Sequence, residues 1–157
     1  MYSRILVPVD GSEAATAGLE EAIKLGQSPD ARLRLVHVVN ELILASPFVV
    51  GTFDPVQFAT DVVAKLRENG RTHLSEAESL VRRHGLEPES RLLEALGCPA
   101  GEEIVRHAKT WPADIIVMGT HGRRGIRRIV MGSDAELVLR TSPVPVLLVR
   151  RASAGRS

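Results

Sequence analysis

Five short apolar segments rich in isoleucine, leucine and valine recur along the chain. Strands that are covered on both faces of a parallel sheet have this continuous apolar character, whereas half-exposed strands alternate. The pattern predicts strands at Arg4 to Val9, Arg32 to Val39, Glu89 to Leu96, Asp114 to Met118 and Val144 to Val149. The third segment mixes apolar and charged residues, which favours a position at the edge of the sheet.

Helical spacing of apolar positions follows each of the first four strands. Ser12 is a predicted N-cap for the first helix, and Gly26 ends it. Asp54 and Pro55 are a predicted cap and first-turn residue for a long second helix, which has Gly70 at its middle and stops at Gly85. The chain between the second strand and this helix has no clean period and is predicted to be a loop.

The last two helices have their own start signals. Pro99 is a predicted first-turn residue of the third helix, which Trp111 closes. Ser133, followed by Glu136 three positions later, is typical of a capping box at the start of a fourth helix.

Strands and helices alternate, which predicts a single α/β domain with a doubly wound, five-stranded parallel sheet and helices on both faces. With strand order 3-2-1-4-5, the order reverses between the first and fourth strands, and such sheets bind ligands beyond the carboxyl ends of the strands at the reversal. We expect this domain to span residues 1–150. Residues 151–157 offer nothing to bury and are predicted to be a flexible tail.

A glycine-containing segment joins the fourth strand to the fourth helix. Gly119 and Gly122 follow the strand, and after nine further residues Gly132 and Ser133 precede the helix. Glycine before a helix leaves backbone N–H groups uncovered, and the helix dipole adds positive potential there, so the segment is typical of a phosphate-binding site. Neither of the common Gly-rich nucleotide motifs, the P-loop or Gly-x-Gly-x-x-Gly, occurs in the chain.

The Gly-x-x-Gly, nine residues, Gly-Ser spacing resembles the nucleotide-binding signature of the universal stress protein family, in its ATP-binding branch. The resemblance extends over Ile5 to Ser12, Val36 to Val39 and Pro143 to Val149, and so covers almost the whole chain. It implies a bound adenine nucleotide, ATP. The implied nucleotide-binding residues are Pro8, Val9, Asp10, Val38, Met118, Gly119, His121, Gly122, Arg123, Gly132, Ser133 and Asp134.

Several of these positions also have a purely structural interpretation. In the resembled family the acid at Asp10 contacts the base, but an aspartate before glycine is also an ordinary turn residue. Val38 would meet the base through its backbone, or be a plain core valine. His121 and Arg123 would lie near the phosphates, or be solvated loop residues.

Asp134 departs from the family pattern, which usually has valine there. A carboxylate in the first turn of a helix is stabilised by the helix dipole, so Asp134 could serve the helix alone. It would also repel phosphates docked at the same turn unless an arginine or Mg²⁺ intervened. One hypothesis is therefore that triphosphate binding depends strongly on Mg²⁺.

The composition and net charge of the chain disfavour some classes of protein. The formal net charge is +1, with 44% hydrophobic and 25% charged residues, which does not favour nucleic-acid or membrane binding. There is no signal-peptide pattern or run of ~20 apolar residues. The single cysteine, Cys98, cannot form an internal disulfide, and we expect a cytoplasmic protein. No histidine or cysteine spacing suits a metal, and no nucleophile stands out, so no catalytic residue is predicted and any ATP hydrolysis would be slow.

The sequence thus predicts an ATP-binding stress-response regulator. The alternative is a dimeric interaction module of the same fold that binds no nucleotide, and an enzyme on this scaffold is disfavoured for want of paired acid-base or metal residues. The apolar last strand, Val144 to Val149, predicts a homodimer formed through that edge.

Overall fold

The computed structural model describes residues 2–40, 55–120 and 131–150. Within these ranges the chain alternates strictly between strands and helices. The elements in order are β1 (Arg4–Pro8), α1 (Glu13–Leu25), β2 (Arg32–Asn40), α2 (Pro55–Arg83), β3 (Glu89–Ala95), α3 (Ala100–Thr110), β4 (Ile115–Gly119), α4 (Ser133–Thr141) and β5 (Val146–Val149).

The strands form one parallel sheet in the order β3-β2-β1-β4-β5. The predicted fold class and strand order are confirmed, and β3 lies at an edge as its mixed polarity indicated. In the register, Ile5 of β1 lies between Leu33 of β2 and Ile115 of β4. The carboxyl ends of β1 and β4 therefore reach the same edge of the sheet side by side.

Two apolar cores fill the layers on either side of the sheet, because successive strand residues point to opposite faces. On one face the first core is built from strand residues such as Ile5 and Leu35 with Leu19 of α1 and Val81 of α2. On the other face the second core contains strand residues such as Leu6 and Ile116, packed against α3 and α4. Both faces are covered, which explains why β4 is buried along its full length.

Helix starts and stops follow the sequence signals with small shifts. Ser12 caps α1 by accepting the Ala15 N–H at 3.1 Å, and Gly26 ends that helix, as predicted. Pro55 is the first residue of α2, whereas its predicted cap, Asp54, lies outside the described residues. Pro99 was predicted as a first-turn residue but is the N-cap of α3, because its extended ψ of 148° delays the helix to Ala100.

Four of the predicted strands end one residue away from their observed ends, and the starts of the last two strands also differ from the prediction. Asp114 was predicted to begin β4, but it precedes the strand, and its carboxylate accepts the N–H groups of Ser3 and Arg4 at 2.9 and 2.8 Å. The last strand begins at Val146 rather than Val144, because Ser142 and Val144 form a local turn through the Ser142 hydroxyl. Asp114 therefore ties the starts of β1 and β4 together at the amino edge of the sheet.

Gly70 lies at the point where the long helix α2 crosses the sheet. A Cβ atom at this position would lie 2.6 Å from Cδ2 of His37 and 2.7 Å from Cδ1 of Leu92. The glycine therefore permits close approach of α2 to β2 and β3. The predicted tail, residues 151–157, lies outside the described residues, as does the predicted loop apart from Asn40, which ends β2. Within the described ranges, no helix is both long and apolar enough to cross a membrane.

Candidate functional site

The candidate site lies at the carboxyl edge of the sheet, where β1 and β4 end side by side. The strand order reverses here, because the chain runs outward from β1 to β2 and β3 and returns through β4 to β5. Helices that leave neighbouring strands on opposite faces open a crevice at such a point. The turn from β1 to α1 and the two ends of the segment from β4 to α4 border this crevice.

The turn after β1 is held by its own polar residues. Oδ1 of Asp10 accepts the Ser12 N–H at 2.9 Å, and Gly11 adopts φ of 77°, a conformation that favours glycine. The side chain of Asp10 thus has the turn-forming role that its position before glycine indicated. Its carboxylate remains at the crevice, half-buried, at the first turn beyond β1.

A histidine outside the predicted site anchors the end of β1. Nδ1 of His37 lies 2.8 Å from the carbonyl oxygen of Val9, and His37 is only 7% exposed. Since a carbonyl can only accept, Nδ1 carries the hydrogen in this contact. Val9 also donates its N–H to the Val36 carbonyl at 2.8 Å. His37 is thus a packed core histidine, and its ring holds the backbone from which Asp10 projects.

His73 of α2 covers the same turn from the helix side. Its ring centroid lies 5.6 Å from that of His37, and a Cβ atom at Gly11 would collide with its ring. Both ring nitrogens of His73 are buried, and neither has a hydrogen-bond partner among the described residues. The absence of a side chain at Gly11 is therefore required by packing as well as by the turn.

The ends of the glycine segment are fastened to each other. The Thr120 carbonyl accepts the Gly132 N–H at 2.9 Å, and the Thr120 N–H is donated to the Val149 carbonyl at 3.0 Å. This pair of bonds places the start of α4 directly beside the end of β4. Two of the signature glycines, Gly119 and Gly132, are thus brought together although they are far apart in sequence, whereas Gly122 lies outside the described residues.

The start of α4 differs from the capping box that the sequence predicted. Gly132 is the N-cap and has an extended ψ of 146°, and Ser133 is already helical. Because the N-cap is a glycine, it has no side chain to cap the helix. Glu136 donates the first helical hydrogen bond, at 2.9 Å to the Gly132 carbonyl. The N–H groups of Ser133, Asp134 and Ala135 consequently have no acceptor within the helix. Those N–H groups and the helix dipole are suited to binding an anion.

The carboxylate of Asp134 is directed away from this cluster of N–H groups. Its Oδ1 accepts the N–H of Gly101, in the first turn of α3, at 2.9 Å. The side chain of Asp134 therefore contacts the neighbouring helix α3.

The structure brings most of the predicted residues to one edge. Val38 lies on β2, two residues beyond Val36, which pairs with Pro8 in the register. His121, Gly122 and Arg123 lie outside the described residues. The predicted residues placed at the carboxyl edge of β1, β2, β4 and the start of α4 are Pro8, Val9, Asp10, Val38, Met118, Gly119, Gly132, Ser133 and Asp134. Sequence reasoning missed His37, His73 and Gly101 at this site, because no local motif marks them. His37 and Gly101 contact Val9 and Asp134 from other elements, and His73 packs against His37. In the described ranges no cluster of histidine, cysteine or acidic residues could hold a metal ion.

These features define the class: an α/β protein with an open, doubly wound sheet and an uncapped helix start at the point where the strand order reverses. The sequence profile of the universal stress protein family matches residues 1–150. The chain belongs to the universal stress protein family.

Relatives and solved structures agree with this assignment. The chain is 34% identical to universal stress protein MJ0531 of Methanocaldococcus jannaschii, over 96% of this chain and 84% of that protein. A solved structure of MJ0577, whose biochemical function was assigned from its structure, superposes with a TM-score of 0.84 at 27% identity and covers 98% of this chain and 99% of that one. A universal stress protein from Archaeoglobus fulgidus in complex with dAMP has a TM-score of 0.65 at 26% identity, over 94% of this chain and 97% of that one.

Proposed function

We propose that this protein is an ATP-binding stress-response regulator that holds the nucleotide in the crevice between β1 and β4. The observation that carries the proposal is the uncapped start of α4, where the N–H groups of Ser133, Asp134 and Ala135 lack helical acceptors beside the end of β4. Phosphates would bind these groups, and the signature residues Gly122, His121 and Arg123 would complete the phosphate site.

The base and ribose would lie toward β1 and β2. Asp10, whose backbone is fixed by the contact of His37 with Val9, would contact the base or ribose, and the backbone of Val38 would contact the base. The adenine nucleotide is supported by the complex of the Archaeoglobus fulgidus relative with dAMP. ATP as the physiological ligand, with Mg²⁺ accompanying the triphosphate, is part of the proposal.

The proposal includes that the protein acts in the cytoplasm as a homodimer. β5 is an edge strand, and its four residues are all only half-buried in the single chain. A bare apolar edge favours pairing with a second copy across a two-fold axis. The described residues of the site include no nucleophile paired with a base, which favours a regulatory function over a catalytic one. Any slow hydrolysis of ATP would be incidental to that function.

The test is direct identification of the ligand. The purified protein is denatured and any released nucleotide is identified by mass spectrometry, after which ATP and AMP binding to the nucleotide-free protein are measured by calorimetry. We expect an adenine nucleotide and saturable binding at one site per chain. Absence of both would contradict the proposal and leave the non-binding interaction module as the function.

A further inference from the structure

The start of α3 lacks a cap from its own sequence. Its N-cap is Pro99, whose side chain can accept no hydrogen bond. The first-turn N–H groups of a helix need acceptors, which a side chain can supply. In this structure an acceptor for the first turn of α3 comes from another element.

Asp134 of α4 provides that acceptor. Its Oδ1 lies 2.9 Å from the N–H of Gly101, the second residue of α3. The absence of a side chain at Gly101 allows this contact, because a Cβ atom there would lie 3.0 Å from the Asp134 carbonyl oxygen and 3.1 Å from Cδ2 of Leu137. Gly101 is buried between the two helices. The first turns of α3 and α4 are thus in direct contact through a single charge-assisted hydrogen bond.

The same bond constrains α4. Asp134 is the second residue of α4, and backbone bonds from Gly132 to Thr120 and from Glu136 to Gly132 also hold the start of this helix. We propose that Asp134 is a positioning residue for nucleotide binding, which holds the anion-binding first turn of α4 in place by accepting the Gly101 N–H. This inference rests on the proposed function, because the turn it positions is the proposed phosphate site.

The effect of the Asp134 charge on nucleotide binding can be separated from the effect of its hydrogen bond by substitution. The carboxylate faces the positive end of the α3 dipole, which offsets part of its negative charge. An asparagine at this position keeps an oxygen acceptor for Gly101 and removes the charge near the phosphates, whereas an alanine removes both. The two variants therefore distinguish positioning from electrostatic repulsion.

The experiment compares wild type, Asp134→Asn and Asp134→Ala by calorimetric titration with ATP, with and without Mg²⁺. We expect Asp134→Ala to weaken metal-free ATP binding about tenfold, since losing a helix cap is comparable to a tenfold change in an equilibrium constant. Asp134→Asn should bind at least as tightly as wild type. Thermal melts verify that each variant is folded at the titration temperature.

Amide hydrogen exchange provides a second readout that does not depend on the nucleotide. In Asp134→Ala the N–H groups of Gly101 and Glu136 should exchange faster than in wild type, and in Asp134→Asn they should stay protected. If wild type binds no ATP, the proposed function fails, and the exchange of Glu136 alone then decides whether Asp134 holds the start of α4.

Other outcomes overturn the inference. Unchanged ATP affinity in Asp134→Ala, with a lower melting temperature, would make Asp134 a cap of α3 only. Tighter metal-free binding in Asp134→Ala would show that repulsion of phosphates dominates. Equal weakening in both variants would show that the charge, and not the hydrogen bond to Gly101, is what matters.

Discussion

The backbone of Ala14, in the first turn of α1, occupies the space that a side chain at Gly119 would fill. A Cβ atom at Gly119 would collide with the Ala14 carbonyl group and lie 2.8 Å from the Ala15 nitrogen. Gly18, one turn later in α1, also lies close to the end of β4, because a Cβ there would lie 3.0 Å from the Gly119 nitrogen. The first glycine of the signature is therefore required by the packing of α1 on β4, whether or not it contacts a ligand.

This packing predicts different effects for two signature glycines. Gly119→Ala should destabilise the fold by about 1–3 kcal/mol, because rigid backbone atoms block the added methyl group. Gly132→Val should leave the protein folded, because the φ of −62° and ψ of 146° at Gly132 suit any residue, with a loss of about 1 kcal/mol because valine is a poorer N-cap than glycine. It should abolish ATP binding by covering the N–H groups of α4.

Thermal melts measure the stability of Gly119→Ala and Gly132→Val, and calorimetry measures their affinity for ATP. Each variant is the control for the other. Gly122→Val is expected to behave like Gly132→Val, because the signature implies close approach of both glycines to the ligand. Unchanged ATP affinity in Gly132→Val would refute the phosphate site at the start of α4.

Gly70→Ala should destabilise the protein by up to about 2 kcal/mol, although alanine is the better helix former by roughly 1 kcal/mol. The added methyl group would meet His37 and Leu92, which pack between α2 and the sheet. Ser75→Ala, at an exposed position of the same helix, is the matched control and should be neutral or slightly stabilising. Urea unfolding of the two variants measures the difference; greater stability in Gly70→Ala would show that the contact relaxes easily.

Stability should fall in mild acid through His107, at the amino edge of the sheet. Burial lowers the pKa of His107 below its usual value of 6.5, and the Arg34 guanidinium, whose NH1 lies 3.4 Å from Nε2, lowers it further, while Glu103 opposes the shift. Because the folded state resists protonation, the unfolded state binds the proton first. The free energy of unfolding should therefore be fully maintained above pH 6.5 and decrease as the pH falls through that value toward the lowered pKa of the folded state.

His107→Gln is the test of this pH dependence, because glutamine can accept from Arg34 but does not titrate. Urea unfolding between about pH 8 and pH 5 should show a shallower loss for the variant than for wild type. The difference between the two proteins isolates His107 from the other histidines. Identical slopes would exclude a contribution of His107.

Dimerisation through β5 is testable by changing its outer edge. The carbonyls of Pro145 and Val149 accept the N–H groups of Ile116 in β4 and of Thr120 just after it. In the alternating pattern of a strand, the N–H of Leu148 therefore points to the open edge. Leu148→Pro removes that donor, and Leu147→Lys places a charge in the strand. Both variants should be monomers by light scattering at micromolar concentration where wild type is a dimer. A monomeric wild type, or dimeric variants, would contradict this interface.

The sequence by itself determined the fold class and the position of the candidate site. Continuous apolar runs alternating with helical periods define buried parallel strands and their helices, and the strand-order reversal brings the ends of β1 and β4 together. Local chemistry also determined the starts of α1 and α2, because Ser12 and Pro55 act within a single turn of chain.

Tertiary structure decided which atoms face the crevice. The pattern of serine and glutamate predicted that Ser133 caps α4, but the bond of Gly132 to Thr120 and the extended conformation of Gly132 make the glycine the N-cap. From the sequence, Asp134 could either stabilise the start of α4 or repel phosphates. In the structure its side chain contacts Gly101, 33 residues earlier in the chain. Such contacts depend on how α1 packs on β4 and α3 on α4, and no local pattern encodes a distance between two helices.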